Sequence, residues 1–340
     1  FYYDVGAFNI PPPTPYCHWS TGLNNLIRLI GRRLVALPIM ILGVTFLVFF
    51  LMSFSKIDPA YSALGEGASP EALEAYRQAH GLNDPWFTRY ISFVGGLFTG
   101  DLGTYGANQA SVADKVSSAF VVTMQLTFLG LIFAVIIAVI FGVIAALFRD
   151  RWPDQVIRVI STAFIATPSF WLAVLMILFF SVSLGWLPAS GPLPSFGEDP
   201  GAWLARMTLP VVALGVPVAG SLTRVIRTSM VEELDKDYVR TALGAGVPKP
   251  VVVARNVFRN ALITPITVLG LRIGYLIGGA VVIEVIFNLP GMGMAILQGV
   301  QQNYPTLVQG VTLVVALAFI IINIVVDMLY ILINPRIRTV

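Results

Sequence analysis

Cysteine, histidine and charge are scarce in this chain of 340 residues. The single cysteine, Cys17, excludes an intrachain disulfide and a cysteine-based metal site. Two histidines, His18 and His80, do not form the His-Glu-x-x-His pattern of a zinc hydrolase. Of the four lysines (Lys56, Lys115, Lys236 and Lys249), none follows a glycine, so no Walker A loop cradles a nucleotide here. No Gly-x-Ser-x-Gly elbow occurs. The stretch Leu187 to Gly191, "LPASG", resembles a sorting signal but sits inside a proline-rich segment and reads as a turn. No catalytic set is visible, no internal repeat and no low-complexity tract. The chain is read as a non-enzyme that binds no cofactor or metal itself and no nucleic acid. Charged residues make up 11% of the chain, against about 25% in a soluble domain.

What is abundant is apolar sequence: 56% of residues, with a mean hydropathy of +0.81. It falls into runs of roughly the ~20 residues a spanning helix needs. They lie near Leu34–Phe54, Ala119–Phe148, Val159–Leu184, Met207–Thr223, Leu262–Phe287 and Leu307–Ile333. The expected fold is an all-α polytopic membrane protein with six transmembrane helices. An even number of spans puts both termini on one side. Lys and Arg choose the side. The N-terminus, 149–158, 224–259 and the C-terminus hold 15 of the 21 cations; the opposite segments hold five, Lys56, Arg77, Arg89, Lys115 and Arg206. The first set is therefore cytoplasmic. Residues 1–25 form a proline- and aromatic-rich extension, read as cytoplasmic, without the basic-then-apolar order of a signal peptide. Residues 26–54 carry the first span and 55–118 an extracytoplasmic loop. Residues 119–335 are a core of five spans, and 336–340 a cytoplasmic tail.

Within the outer loop, Ser69-Pro70-Glu71 is a helix start and Gly81 a stop, so the loop contains at least one short amphipathic helix. Three charges interrupt the apolar runs: Arg272, Glu284 and Asp327. Glu284 and Asp327 lie near span ends and read as interfacial charges; Arg272, deeper, is open between a helix–helix pairing role and a transport pathway. Gly270, Gly274 and Gly278 share one helix face, where small residues let backbones approach.

The segment 229–260 is long for a connector. From Val231 to Ala245 it reads as a helix continuing from the fourth span, acids early and Arg240 late. Gly246-Val247-Pro248 ends it, and Pro250 suits the first turn of a second helix that runs into the fifth span. Two such short helices are marginal alone and must pack on something.

This loop resembles the cytoplasmic EAA loop of ABC-importer permeases of the dipeptide/oligopeptide/nickel type. Tyr238-Val239-Arg240-Thr241-Ala242 matches that subfamily's Tyr-x-Arg-Thr-Ala, with Gly246 at the loop glycine. Phe258-Arg259-Asn260-Ala261-Leu262 resembles its Leu-Arg-Asn-Ala-Leu. "RRLVALPIMILGVTFLVFFLM" from Arg32, "GLNDPWFTRYISFVGGLFTGDLG" from Gly81, "ATPSFWLAVLMILFFS" from Ala166, "EVIFNLPGMG" from Glu284 and "DMLYILINPRIR" from Asp327 resemble other stretches of its B-type subunit, in the same order. The resemblance covers about residues 26–338; the extension before about residue 24 departs from the pattern and is unassigned.

The resemblance implies a type I permease fold in a bacterial inner membrane, forming half of a heterodimeric pore with a second homologous permease. It implies one or two ABC ATPase subunits carrying ATP and magnesium, and an extracytoplasmic substrate-binding protein. Tyr238, Arg240, Thr241, Ala242, Gly246, Lys249 and Arg259 would then form the element that couples ATP hydrolysis to the pore. Peptide is the implied substrate, with nickel, haem, glutathione or another small solute as alternatives. A secondary transporter using Arg272, Glu284 and Asp327 is the reading from a different class.

Overall fold

The computed structural model describes residues 18–54, 58–65 and 67–333, without the side chains of 18–30, 32–34, 327 and 329–333. The extension before residue 18, the tail and the side chain of Asp327 lie outside this set. The described residues are mostly helical. The long helices are α1 (His18–Ser53), α5 (Val112–Leu147), α8 (Pro200–Leu234), α12 (Ile263–Phe287) and α14 (Pro305–Ile333). Each contains a stretch long and apolar enough to cross a membrane.

The apolar run at Val159–Leu184, read as one span, is bent by 100°. Helix α6 (Trp152–Ala166) ends there and α7 (Ser169–Met176) begins, continuing as a π-helical stretch to Ser183. The break is at Thr167-Pro168: Thr167 is extended, as a residue before proline prefers to be. Counting the bent pair as one gives six crossings.

The fourth span also differs from its apolar run. Helix α8 starts at Pro200, capped by the Asp199 side chain, and takes in Arg206. This arginine, expected in an outer loop, is 2% exposed. It donates to the carbonyls of Ala189 (2.7 Å), Phe287 and Asn288 (3.3 Å). Phe287 and Asn288 end α12, where unsatisfied carbonyls attract a cation. A charge in the right place is thus solvated by backbone, and hydropathy alone does not reveal it.

Helix α8 is the centre of the bundle, packed by α5, α6, α7 and α12. Its main seam is with α5. There Gly130, Ala134, Ala138, Gly142 and Ala146 recur every fourth residue, all buried. Small residues at that spacing bring the two backbones together. A Cβ on Gly142 would lie 2.7 Å from Ile226 Cβ. Gly142→Leu should therefore cost about 1–3 kcal/mol by overpacking. Lower membrane yield and a lower melting temperature in detergent are expected; an unchanged transition would contradict the seam.

The outer loop is more structured than one helix. It contains α2 (Pro59–Leu64), α3 (Pro70–Ala79), α4 (Trp86–Thr99) and a hairpin of β1 (Thr104–Tyr105) with β2 (Ala110–Ser111). The α3 start is as expected, with Ser69 capping the Ala72 amide. Arg77 ties α3 to the start of α2 through Asp58 at 2.6 Å, and this raises its pKa above the usual guanidinium value. A further helix, α13 (Met292–Gln301), connects α12 to α14. It is pinned from below: the Gly293 amide donates to Glu284 at 2.7 Å and the Met292 amide to Thr123 at 3.0 Å. Glu284, expected at an interface, is fully buried. Added side chains at Gly291 or Gly293 would strike Glu284 or the α12 backbone.

Candidate functional site

Helix α8 does not run on to Ala245. It ends at Leu234, and Lys236 is extended before α9 (Asp237–Gly244) begins. The single helix expected over 231–245 is thus two, because Asp237 supplies a fresh acidic first turn after the break. Gly246 then turns the chain at φ +82°, a left-handed value that suits glycine. The Val247 amide reaches back to Ala242 O at 3.1 Å and the Gly246 amide to Leu243 O at 3.0 Å. This is a Schellman-type stop, which satisfies the last carbonyls of α9. The chain resumes as α10 (Lys249–Val251), a π-helical stretch over Val252–Val257, and α11 (Phe258–Ala261), leading into α12.

The root of this projection is fixed. Val239, Val252 and Val257 are buried together in the main core. The Tyr238 hydroxyl donates to Glu233 at 2.8 Å and accepts from Asn260 at 3.4 Å, so one side chain joins the end of α8 to α11. Burial raises the Tyr238 pKa above the ordinary tyrosine value, and the Glu233 hydrogen bond adds to this while the Asn260 hydrogen bond opposes it, so the hydroxyl stays a donor. Tyr238→Phe should loosen the loop by about 1 kcal/mol. Faster hydrogen exchange across 238–250, with the rest unchanged, is the expected readout.

The tip faces out. Arg240 is 74% exposed, its nearest described carboxylate being Asp237 at 3.7 Å on the same helix. Thr241, Gly246, Lys249 and Arg259 are also exposed. Leu243, Val247 and Val251 add exposed apolar surface between them. The seven residues singled out in the sequence therefore divide. Tyr238 and Ala242 pack inward and hold the element, while the other five form its surface.

A supporting cluster beneath the loop had no sequence signal beyond isolated charges. Asp154 on α6, 0% exposed, takes two hydrogen bonds from Arg227 on α8, both 2.6 Å. It also accepts the Asp150 amide at 3.0 Å and lies 3.6 Å from Arg158. Beside it Arg149 meets Asp235, at the end of α8, at 2.7 Å, and this raises the arginine's pKa. The start of α6 and the root of the loop are thereby held to one helix.

The intramembrane candidates are spread apart. Arg272 donates to the Ser221 hydroxyl on α8 at 2.8 Å. Gly270 and Gly274 pack closely against Val326 and Phe319 of α14. Gly278 does not join them: it is exposed, with open space where a side chain would be. It belongs to an uncovered stripe with Leu271, Tyr275 and Val282.

Comparison with known proteins decides what kind of bundle this is. Residues 138–339 match the model for the binding-protein-dependent transport system inner membrane component, and residues 26–127 match the N-terminal model of the same membrane component. The chain belongs to this family. The matched relatives agree. A protein of Brucella abortus (strain 2308), provisionally named a peptide transport system permease protein, is 38% identical over 314 residues, covering 92% of this chain and 99% of its own. The glutathione transport system permease protein GsiC of Escherichia coli (strain K12) is 37% identical over 313 residues, with the same coverage. This inner membrane component is thus a multi-pass transport subunit of a binding-protein-dependent system and not an enzyme. The matches span the bent α6–α7 pair, the loop and α13 alike.

Proposed function

We propose that this chain forms one half of the pore of an ATP-driven peptide importer, and that the 237–259 projection is where an ATPase subunit docks. The observation that carries this is the division within the loop. A root locked by Tyr238 and by buried valines supports a tip whose cationic and apolar side chains stay exposed among the described residues. Such a rigid lever transmits a push; a loose connector would absorb it. Arg240, Thr241, Gly246, Lys249 and Arg259 make the contact surface, and Gly246 the corner. The push reaches α8 and α6 through the Arg149–Asp235 and Arg227–Asp154 pairs. ATP and magnesium are held on the ATPase subunits.

The uncovered stripe of Leu271, Tyr275, Gly278 and Val282 on α12 favours a second, homologous permease facing it across the pathway. Peptide as cargo rests on the named substrates of the relatives; glutathione is itself a small peptide, and nickel, haem or another solute stays as the alternative cargo. Both termini lie in the cytoplasm, as the excess of cations on that side favours. The intramembrane charges give less support to a secondary transporter, since Arg272 and Glu284 are engaged in holding helices together.

Gentle purification of the tagged chain, with mass spectrometry of what accompanies it, tests the assembly. A second permease and Walker-containing ATPases are expected; a chain that stays alone after cross-linking rejects it. Uptake competition by peptides of unrelated sequence tests the cargo. Failure of every peptide to compete would move the assignment to another solute.

A further inference from the structure

Helix α4 has a face that the transport reading does not use. It is 14 residues long, closed by Gly100 in a left-handed cap, and contains no buried residue. Its sequence divides into three flanks. Trp86, Tyr90 and Phe93 lie against Phe46 and Phe49 of α1, ring centroids 5.5–5.8 Å apart. Arg89, Ser92 and Gly96 face a cavity of about 630 Å³ between the outer domain and the ends of α1 and α14. The third flank, Phe87, Ile91, Val94 and Phe98, recurs at helical spacing, roughly opposite the cavity. Phe87, Ile91 and Phe98 are 65, 54 and 86% exposed. This flank has no charge.

The depth of α4 is set by its contacts. The Tyr90 hydroxyl lies 3.2 Å from Thr45 Oγ1 and 3.3 Å from Leu42 O. Leu42 is well inside the apolar stretch Val35–Ser53 of α1. Eleven residues of helix separate it from Ser53, about 16 Å along the axis. A bilayer's hydrocarbon core is about 30 Å thick, so Tyr90 sits beside the interior of the span, well below its outer end. On α1, Phe50 stacks on Phe46, the ring that meets Trp86 and Tyr90, and Leu47, Phe50 and Phe54 are exposed.

We propose that α4 is embedded in the outer leaflet, with Phe87, Ile91, Val94 and Phe98 in contact with phospholipid acyl chains. The neighbouring α1 carries exposed apolar residues of its own, Leu47, Phe50 and Phe54, as a spanning helix at the edge of the bundle must. The flank bearing Arg89 faces the cavity, so no charge enters hydrocarbon. An embedded α4 would fix the height of the whole outer domain above the pore, since α3 and the hairpin flank it in the chain.

The test uses the full chain, with whatever subunits copurify, in nanodiscs of phosphatidylethanolamine and phosphatidylglycerol. In a Cys17→Ser background, Phe87→Cys, Ile91→Cys, Val94→Cys, Phe98→Cys and Ser92→Cys are spin-labelled singly. Collision with oxygen, which partitions into lipid, is compared with collision with a water-soluble nickel chelate. The oxygen-to-nickel ratio should be several-fold higher at the four stripe positions than at Ser92. Two results would overturn the proposal: nickel access along the stripe equal to that at Ser92, which means water; or exclusion of both reagents at all four positions, which means a protein partner covers the face.

Discussion

Asp154→Ala is expected to be the most destabilising single change on the cytoplasmic side. Asp154 has no exposed surface and takes two 2.6 Å hydrogen bonds from Arg227, itself only 19% exposed. Removing one partner of a buried pair costs about 3–5 kcal/mol, because the other charge is left without compensation. The Asp150 amide loses its acceptor too, in a turn where Asp150 already holds φ +59°. A large fall in the melting temperature of the purified protein is expected, together with new protease sites between α5 and α6. The double variant Asp154→Leu with Arg227→Met should recover much of the loss, since an apolar pair of similar volume needs no compensating charge. Recovery of stability without recovery of uptake would separate fastening from force transmission. A single variant as stable as the parent would show that the pair does not fasten α6 to α8.

The sequence made the spans legible because apolar runs of spanning length are a strong signal. It did not make their paths legible. Proline occurs inside α1 at Pro38 and inside α8 at Pro210 and Pro217, and those helices continue. At Pro168 the helix breaks and the chain turns by 100°. The residue type is the same; neighbouring helices decide whether the lost hydrogen bond and the steric clash are tolerated. The seam at Gly130, Ala134, Ala138, Gly142 and Ala146 was readable at four-residue spacing, but it lies in a run apolar on every face, which hides a stripe. By contrast Gly270, Gly274 and Gly278 stood out and proved to be of two kinds. Arg206 and Asp154 were invisible as sites because their partners are distant: a carbonyl at Phe287 and a guanidinium at Arg227. The corner at Gly246 was legible because a Gly-Val-Pro stop is local chemistry.

At that corner, replacement of glycine should separate coupling from folding. A Cβ at Gly246 would meet nothing within 4 Å, so side-chain volume is not the obstacle. The obstacle is φ +82°, which costs a non-glycine residue about 1–3 kcal/mol. The effects should therefore follow backbone preference. Gly246→Asn, which tolerates the left-handed region, should be mild. Gly246→Ala should be intermediate, and Gly246→Val worse, since a branched side chain resists this conformation most. Gly246→Pro cannot reach the angle, because the ring fixes φ near −65°; the turn must then be rebuilt, breaking the Val247–Ala242 and Gly246–Leu243 hydrogen bonds. Because the corner is exposed and a side chain there meets no neighbour, membrane yield should hold across the series. Solute imported per ATP hydrolysed should fall in the order Asn, Ala, Val, Pro, with the ATPase rate less affected than uptake. An equal ratio for Asn and Val would show that the corner's geometry does not transmit the push, and the docking surface would then have to lie elsewhere on the cytoplasmic face.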